Sequence, residues 1–224
     1  MLILAVDTSG KQGSIALVEC DAKATRTLEV LPLEGGTFSA QLVPQIADLL
    51  QKHGSNKNHI DAFAVVSGPG SFTGLRVGLA AIKALAEILA KPIVPVSLLE
   101  AIAITAASEG RIAAVTDAGR DEVYLGVYDI QNGSATCVSE QVMAAADVAI
   151  AFADARLVTP DQKVAGVLTQ KGRTIQEVVA LGADDIARIG FEKLQRGEIV
   201  SPEALDATYI RRSEAEIKFA ERTR

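Results

Sequence analysis

The chain opens on an unbroken apolar run, Leu2 to Val6, followed by a polar turn that holds Gly10 and Gly13 and a second run from Ser14 to Glu19. Two such runs around a glycine-bearing turn predict a β-hairpin. Leu42, Val43, Ile46, Leu49 and Leu50 then recur at helical spacing, with Ser39 as N-cap and Pro44 in the first turn. This helix ends near "HGSNKN". "IDAFAVVSG" reads as a short buried strand, Leu75 to Ala90 as a second helix closed by Pro92, and "PIVPVS" as another strand. Arg76, Lys83 and Glu87 form one narrow stripe on the second helix, whose other positions are apolar, and Gly74, Gly78, Ala81 and Ala84 make a side open to close approach. A helix apolar nearly all round is either central to a core or part of a subunit interface. In domains this small the interface is the favoured reading, with a sheet-packed core helix as the alternative.

The opening plan returns after residue 110. "RIAAVTDAGRDEVYLGVYDI" again gives an apolar strand, an Asp near its end, a turn with Gly119, and a strand in which Val123, Leu125 and Val127 alternate with Tyr124, Gly126 and Tyr128. Aligning Val6 with Val115 gives an offset of 109 residues (115 minus 6), about half the chain. Two related halves follow, although hairpin signals are generic. The second half continues with a helix-like stretch from Glu140 to Ala155, a strand from Lys163 to Leu168, and helix-like stretches at Ile175–Leu181 and Asp184–Leu194. With aromatics at 4% and no Trp, the abundance of Ala, Val, Leu and Ile points to an α/β fold rather than a β-sandwich.

Composition narrows the chemistry. A formal charge of −6 argues against a nucleic-acid-binding domain, because Lys and Arg supply most non-specific affinity for phosphate. The one basic excess lies in "YIRRSEAEIKFAERTR", where Arg211, Arg212, Lys218, Arg222 and Arg224 outnumber Glu214, Glu216 and Glu221; a solvated helical face with i,i+4 pairs is the simpler reading. No signal peptide or membrane span is expected, and Cys20 and Cys137 are far from any CxxC spacing, so a reducing cytoplasm fits. His53 and His59 lie in or near a polar loop without HxxxH or HExxH context, which leaves a metallopeptidase poorly supported.

The segment from Gly68 to Leu75, GPGSFTGL, lacks the Lys of a phosphate-binding Walker loop, and Thr73 stands where a dinucleotide fingerprint needs its third glycine. Its backbone N–H groups at a helix N-terminus suit an anion, less well for having Pro69. Asp7, Thr8 and Ser9 end the first strand. They suit a magnesium-bound water and a phosphate, or equally an Asx or ST turn that shapes the hairpin.

"ILAVDTSG" at the start, "FSAQLVP" at Phe38 to Pro44, "SGPGSFTGLRVGLAAIKALA" at Ser67 to Ala86, "DAGRDEVYLGVY" at Asp117 to Tyr128 and "YIRRSEAEI" near the end resemble the TsaB (YeaZ) family, in the expected order and over nearly the whole chain. The resemblance implies two related domains of the actin, sugar kinase and heat-shock ATPase type, with duplicated ribonuclease-H-like sheets. The expected boundaries are 1–105 for the first domain, 106–204 for the second, and a C-terminal helix at about 205–224 packing back on the first. It implies a non-catalytic dimerisation subunit, not an enzyme on its own, in the machinery that places a threonylcarbamoyl group on N6 of the adenosine next to the tRNA anticodon. The implied partners are a TsaD-like transferase, which it binds and activates, and a TsaE-like ATPase, with tRNA met through the complex, a homodimer left open and no membrane.

The same resemblance implies no metal and no cofactor for the chain alone, ATP and magnesium entering only at the level of the complex. The partner surface is expected on the first-domain helices: Gly70, Ser71, Phe72, Thr73, Gly74, Arg76, Val77, Gly78 and Ala81 with Leu42 and Ile46. A vestigial nucleotide or anion site would comprise Asp7, Thr8, Ser9, Gly68 and Arg120. Phe38, where relatives often carry His, and Gly119, where Arg is common, depart from the family pattern and weaken ligand roles there. The alternative is an independent ATP-dependent kinase or ATPase of the actin-like superfamily.

Overall fold

A computed structural model of the chain describes residues 1–152 and 154–210. Two compact units emerge, one built from Met1–Ala101 together with Leu181–Ala207, the other from Ile102–Ala180. The first contains β1 (Leu2–Asp7), β2 (Gly13–Cys20), β3 (Thr25–Leu33), α1 (Phe38–Lys52), β4 (Ala62–Gly68), α2 (Phe72–Leu89) and β5 (Ile93–Ser97). After α3 (Leu98–Thr105), the second runs β6 (Gly110–Gly119), β7 (Glu122–Gln131), β8 (Ser134–Ala144), α4 (Ala145–Ala151), β9 (Arg156–Thr159), α5 (Gln162–Gln170) and β10 (Ile175–Glu177). The chain then returns to the first unit through α6 (Ala183–Gln195).

The sheets are ordered β3-β2-β1-β4-β5 and β8-β7-β6-β9-β10, so each strand of the first has a counterpart at the same place in the second. Both begin with two antiparallel pairings and finish with two parallel ones. Val6 pairs with Ile15 in the first hairpin, and Val115 with Leu125 in the second. The duplication read from the sequence is therefore present strand for strand, on the α/β plan expected.

Every residue of β4 is buried. Alternate side chains of a strand point to opposite faces, so β4 is covered on both sides, as a central parallel strand requires. Helices α1 and α2 pack on this sheet, and α6 crosses β2, β1 and β4. Helix α6 lies so close that a Cβ added to Gly190 would come 2.6 Å from the Cβ of Ala64. Lys193 of α6 anchors it further, its ammonium 2.9 and 3.0 Å from the carboxylate oxygens of nearly buried Glu100. The element that packs back on the first unit is thus residues 183–195, which had been expected in the second domain. Residues 205–210 form no helix, and the rest of the expected terminal helix, with its basic stretch, lies outside the described residues.

Other differences have local causes. Lys163 to Leu168, expected as a strand, is part of α5, whose N-terminus is capped by Asp161 accepting from the N–H groups of Lys163 (2.9 Å) and Val164 (3.2 Å). Glu140 to Met143 belongs to β8 rather than to a helix, and Ile175 to Glu177 is a strand. Helix α1 begins at Phe38 with Thr37, not Ser39, as N-cap. Among the described residues no helix is long and apolar enough to cross a membrane. Cys20 is buried and Cys137 exposed, and neither is in a disulfide.

Candidate functional site

The glycine-rich step from β4 to α2 lies directly on the turn between β1 and β2. Ser71 donates its N–H to the carbonyl of Ser9 (2.7 Å), and the Thr8 hydroxyl donates to the carbonyl of Gly74 (2.8 Å). Side chains at the glycines would forbid this approach. A Cβ at Gly70 would fall 2.5 Å from the Ser9 carbonyl oxygen, at Gly74 2.0 Å from that of Thr8, and at Gly78 2.4 Å from the Thr8 hydroxyl. Ser71 caps α2 by accepting from the Gly74 N–H (3.3 Å), and Ala90, in a left-handed conformation, ends the helix.

Phe38, from the first position of α1, fills the space beneath. Its ring lies 3.0 Å from where a Cβ of Gly13 would stand and 3.4 Å from that of Gly74, and only 6% of the residue is exposed. A bulky ring thus occupies this position, and the glycines of β2 and α2 make room for it. The sequence showed Phe38 only as a departure from the family pattern.

Asp7 is turned into the same corner. Ser9 donates both its N–H (2.8 Å) and its hydroxyl (2.6 Å) to Asp7 Oδ1. That is the geometry of an Asx turn. Burial pushes the Asp7 carboxyl above its ordinary range, and the two hydrogen bonds from Ser9 oppose the rise. Thr8 and Ser9 are also buried, and their hydroxyls are spent within the chain.

The residues expected to form one anion site divide. Asp7, Thr8, Ser9 and Gly68 come together in the first unit, whereas Arg120 stands in the β6–β7 turn of the second. There Arg120 and Asp121, with φ of 59° and 60°, form a two-residue hairpin loop of the type that needs positive φ at both positions. Among the described residues no group of three or more His, Cys, Asp or Glu is arranged to hold a metal ion. His53 hydrogen-bonds Glu29 (2.8 Å), while His59 sits in an exposed turn.

The expected partner surface also divides. Leu42 and Ile46, 1% and 4% exposed, are core residues, and Gly74 and Gly78 are buried against Thr8. These four are taken up by the first unit's own packing, which corrects their assignment to a partner surface. Gly70, Val77 and Ala81 are half-buried; Ser71, Phe72, Thr73 and Arg76 are exposed, the Arg76 guanidinium 3.7 Å above the centre of the Phe72 ring. The outward side of α2 continues through Ala80 and Ala84, and the neighbouring α1 presents Val43 and Ala47. Ala47 and Ala80 were not singled out in the sequence and Val43 was read only as part of the apolar helical stripe, although all three are one or two positions from the buried Leu42, Ile46 and Leu79, where a helix turns to its other face.

Comparison with known proteins agrees with this architecture. A sequence model of the TsaD family, described as tRNA N6-adenosine threonylcarbamoyltransferase, matches residues 35–190. The tRNA threonylcarbamoyladenosine biosynthesis protein TsaB of Escherichia coli is 29% identical over 231 aligned positions covering 96% of each chain. A solved structure, YeaZ from Pseudomonas aeruginosa, superposes with a TM-score of 0.74 at 29% identity over 93% of this chain and 100% of that one. The chain belongs to the TsaB (YeaZ) family. TsaB of Bacillus subtilis is 36% identical over 134 residues, a match that spans 59% of this chain and 57% of that protein. The match to the TsaD-family model shows in addition that the chain is similar in sequence to the transferase family.

Proposed function

We propose that this chain acts in the biosynthesis of threonylcarbamoyladenosine in tRNA as a scaffold that binds and activates a TsaD-like transferase, without being the catalyst. The observation that carries the reading is the outward side of α1 and α2, where Val43, Ala47, Phe72, Ala80 and Ala84 are exposed on two neighbouring helices. Small and apolar residues on a rigid helical face let a partner helix approach closely and shed water from both surfaces. A partner descended from the same fold would present an equivalent helix pair. The names of the relatives and the match to the TsaD-family model support a TsaD-type protein as that partner.

The geometry around Asp7 supports a structural rather than a catalytic role for the first-strand turn. A carboxylate that accepts both hydrogen bonds from Ser9 is committed to shaping the hairpin. An independent ATPase would instead need turnover by the isolated chain that Asp7→Ala abolishes. Contact with tRNA and with a TsaE-like ATPase belongs, in this reading, to the assembled complex, and ATP with magnesium acts there.

Titration of the purified chain against the TsaD-type protein of the same genome, followed by sedimentation, tests the proposal. A one-to-one complex, with transferase activity on tRNA that needs both proteins, is the expected result. Unchanged sedimentation at every ratio would remove the scaffold reading.

A further inference from the structure

The second unit contains a cavity of ≈ 300 Å³ between its first hairpin, the start of α4 and the inner side of α5. Its position follows from the duplication. In the first unit the ring of Phe38, first residue of α1, packs on Gly13, first residue of β2, and on Gly74, third residue of α2. The counterparts in the second unit are Ala145, first residue of α4, Val123, two residues before Leu125 as Gly13 is two before Ile15, and Val164, third residue of α5. All three line the cavity. An alanine stands at the position of the first unit's phenyl ring, and the cavity opens beside it.

The walls give the chemistry of an occupant. Val123, Val164 and Val167 form an apolar floor continuous with the unit's core. Asp121 and Glu122 from the hairpin supply negative charge, and Lys171 at the C-terminal end of α5 supplies positive charge. Lys163 and Asp117, 3.5 Å apart, pair with each other on the wall. Ligand pockets run from about 300 Å³ upward and combine an apolar lining with a few polar groups.

We propose that this cavity binds a small zwitterion with an aromatic side chain, a free aromatic amino acid. Its ring takes the space that Phe38 fills in the first unit, its ammonium group faces Asp121 and Glu122, and its carboxylate faces Lys171. Charge of both signs on the wall selects the zwitterion over an amine or an acid bearing the same ring.

The test is calorimetric titration of the full chain with L-phenylalanine, phenethylamine and 3-phenylpropionate, each followed by methyl NMR. Saturable binding of L-phenylalanine is expected, with shifts at the methyls of Val123, Val164 and Val167, and about tenfold weaker binding of the two single-charge compounds. Ala145→Phe, which restores the first unit's ring, abolishes binding without lowering the melting temperature. Lys171→Met weakens L-phenylalanine about tenfold and leaves phenethylamine unchanged. No saturable binding of L-phenylalanine to the unmodified chain, or binding that survives Ala145→Phe in a folded protein, would overturn the proposal.

Discussion

In the first unit the chain passes from β4 to α2 through Gly68, Pro69, Gly70 and Ser71, and this corner is pressed onto the Thr8–Ser9 turn with Phe38 sealed beneath it. In the second unit the equivalent passage from β9 to α5 runs through Pro160 and Asp161, Asp161 caps the helix, and a cavity remains between α5 and the hairpin. The strand order is the same. What differs is the side chain available at each corner. Glycines at positions 70, 74 and 78 bring helix and hairpin into close contact, while at the second corner Val164 and Ala145 line a cavity. A duplicated fold can thus diverge in packing and in free volume without changing its topology.

Substitutions that exchange the two corners break the comparison most severely. Gly74→Val puts a branched side chain onto the Thr8 carbonyl, backbone against Cβ at 2.0 Å, and costs at least about 3 kcal/mol in urea unfolding. Val164→Ala in the second unit only enlarges a space already present and costs about 2 kcal/mol. Similar losses for both would mean that the first corner is no tighter than the second. Asp161→Ala, which deprives α5 of its cap, lowers stability by about 1 kcal/mol in the same assay.

Asp7→Asn sharpens the comparison by pH. The folded chain holds the Asp7 proton above its ordinary pKa of 3.8, so between that value and the folded one the native state binds more protons than the unfolded state. The contribution of Asp7 to stability is therefore fully present below pH 3.8 and is lost as pH rises through the folded value. An asparagine keeps an oxygen to accept from Ser9 and cannot ionise. Its unfolding free energy should lack this decline, so that the variant gains on the unmodified protein as pH increases. A parallel pH dependence for the two proteins would show that Asp7 titrates as an ordinary surface carboxylate.

Much of this architecture could be read from residue patterns. The Leu2–Val6 run, the Leu42–Leu50 periodicity and the apolar second helix are long or regular enough that burial and local preference agree, and the repeat at 109 residues (115 minus 6) follows from two hairpins alike in pattern. Lys163–Leu168 misled because its valines suit a strand, while the decisive signal, Asp161 three residues before Val164, is a cap rather than a periodicity. Strand β3 alternates too weakly to show, with Thr25, Arg26 and Thr27 all exposed. At the candidate site the glycines were visible but their use was not. Their contact is with Thr8 and Ser9, more than 60 residues away, and long-range approach leaves no local trace. Leu42 and Ile46 were mistaken for surface because a helical apolar stripe identifies a buried side without saying what buries it.

In the proposed function the outward side of α2, and not its glycine side, receives the transferase. Ala80 and Ala84 are exposed within a helix, so Glu at either position should change the chain's own stability by no more than about 0.5 kcal/mol. The most direct measurement is the affinity of the Ala80→Glu, Ala84→Glu double variant for the TsaD-type protein of the same genome, beside its melting temperature. The prediction is an unchanged melting temperature with binding lost by about a hundredfold or more, as two charges buried without partners require. A folded double variant that binds as tightly as the unmodified chain would contradict the claim.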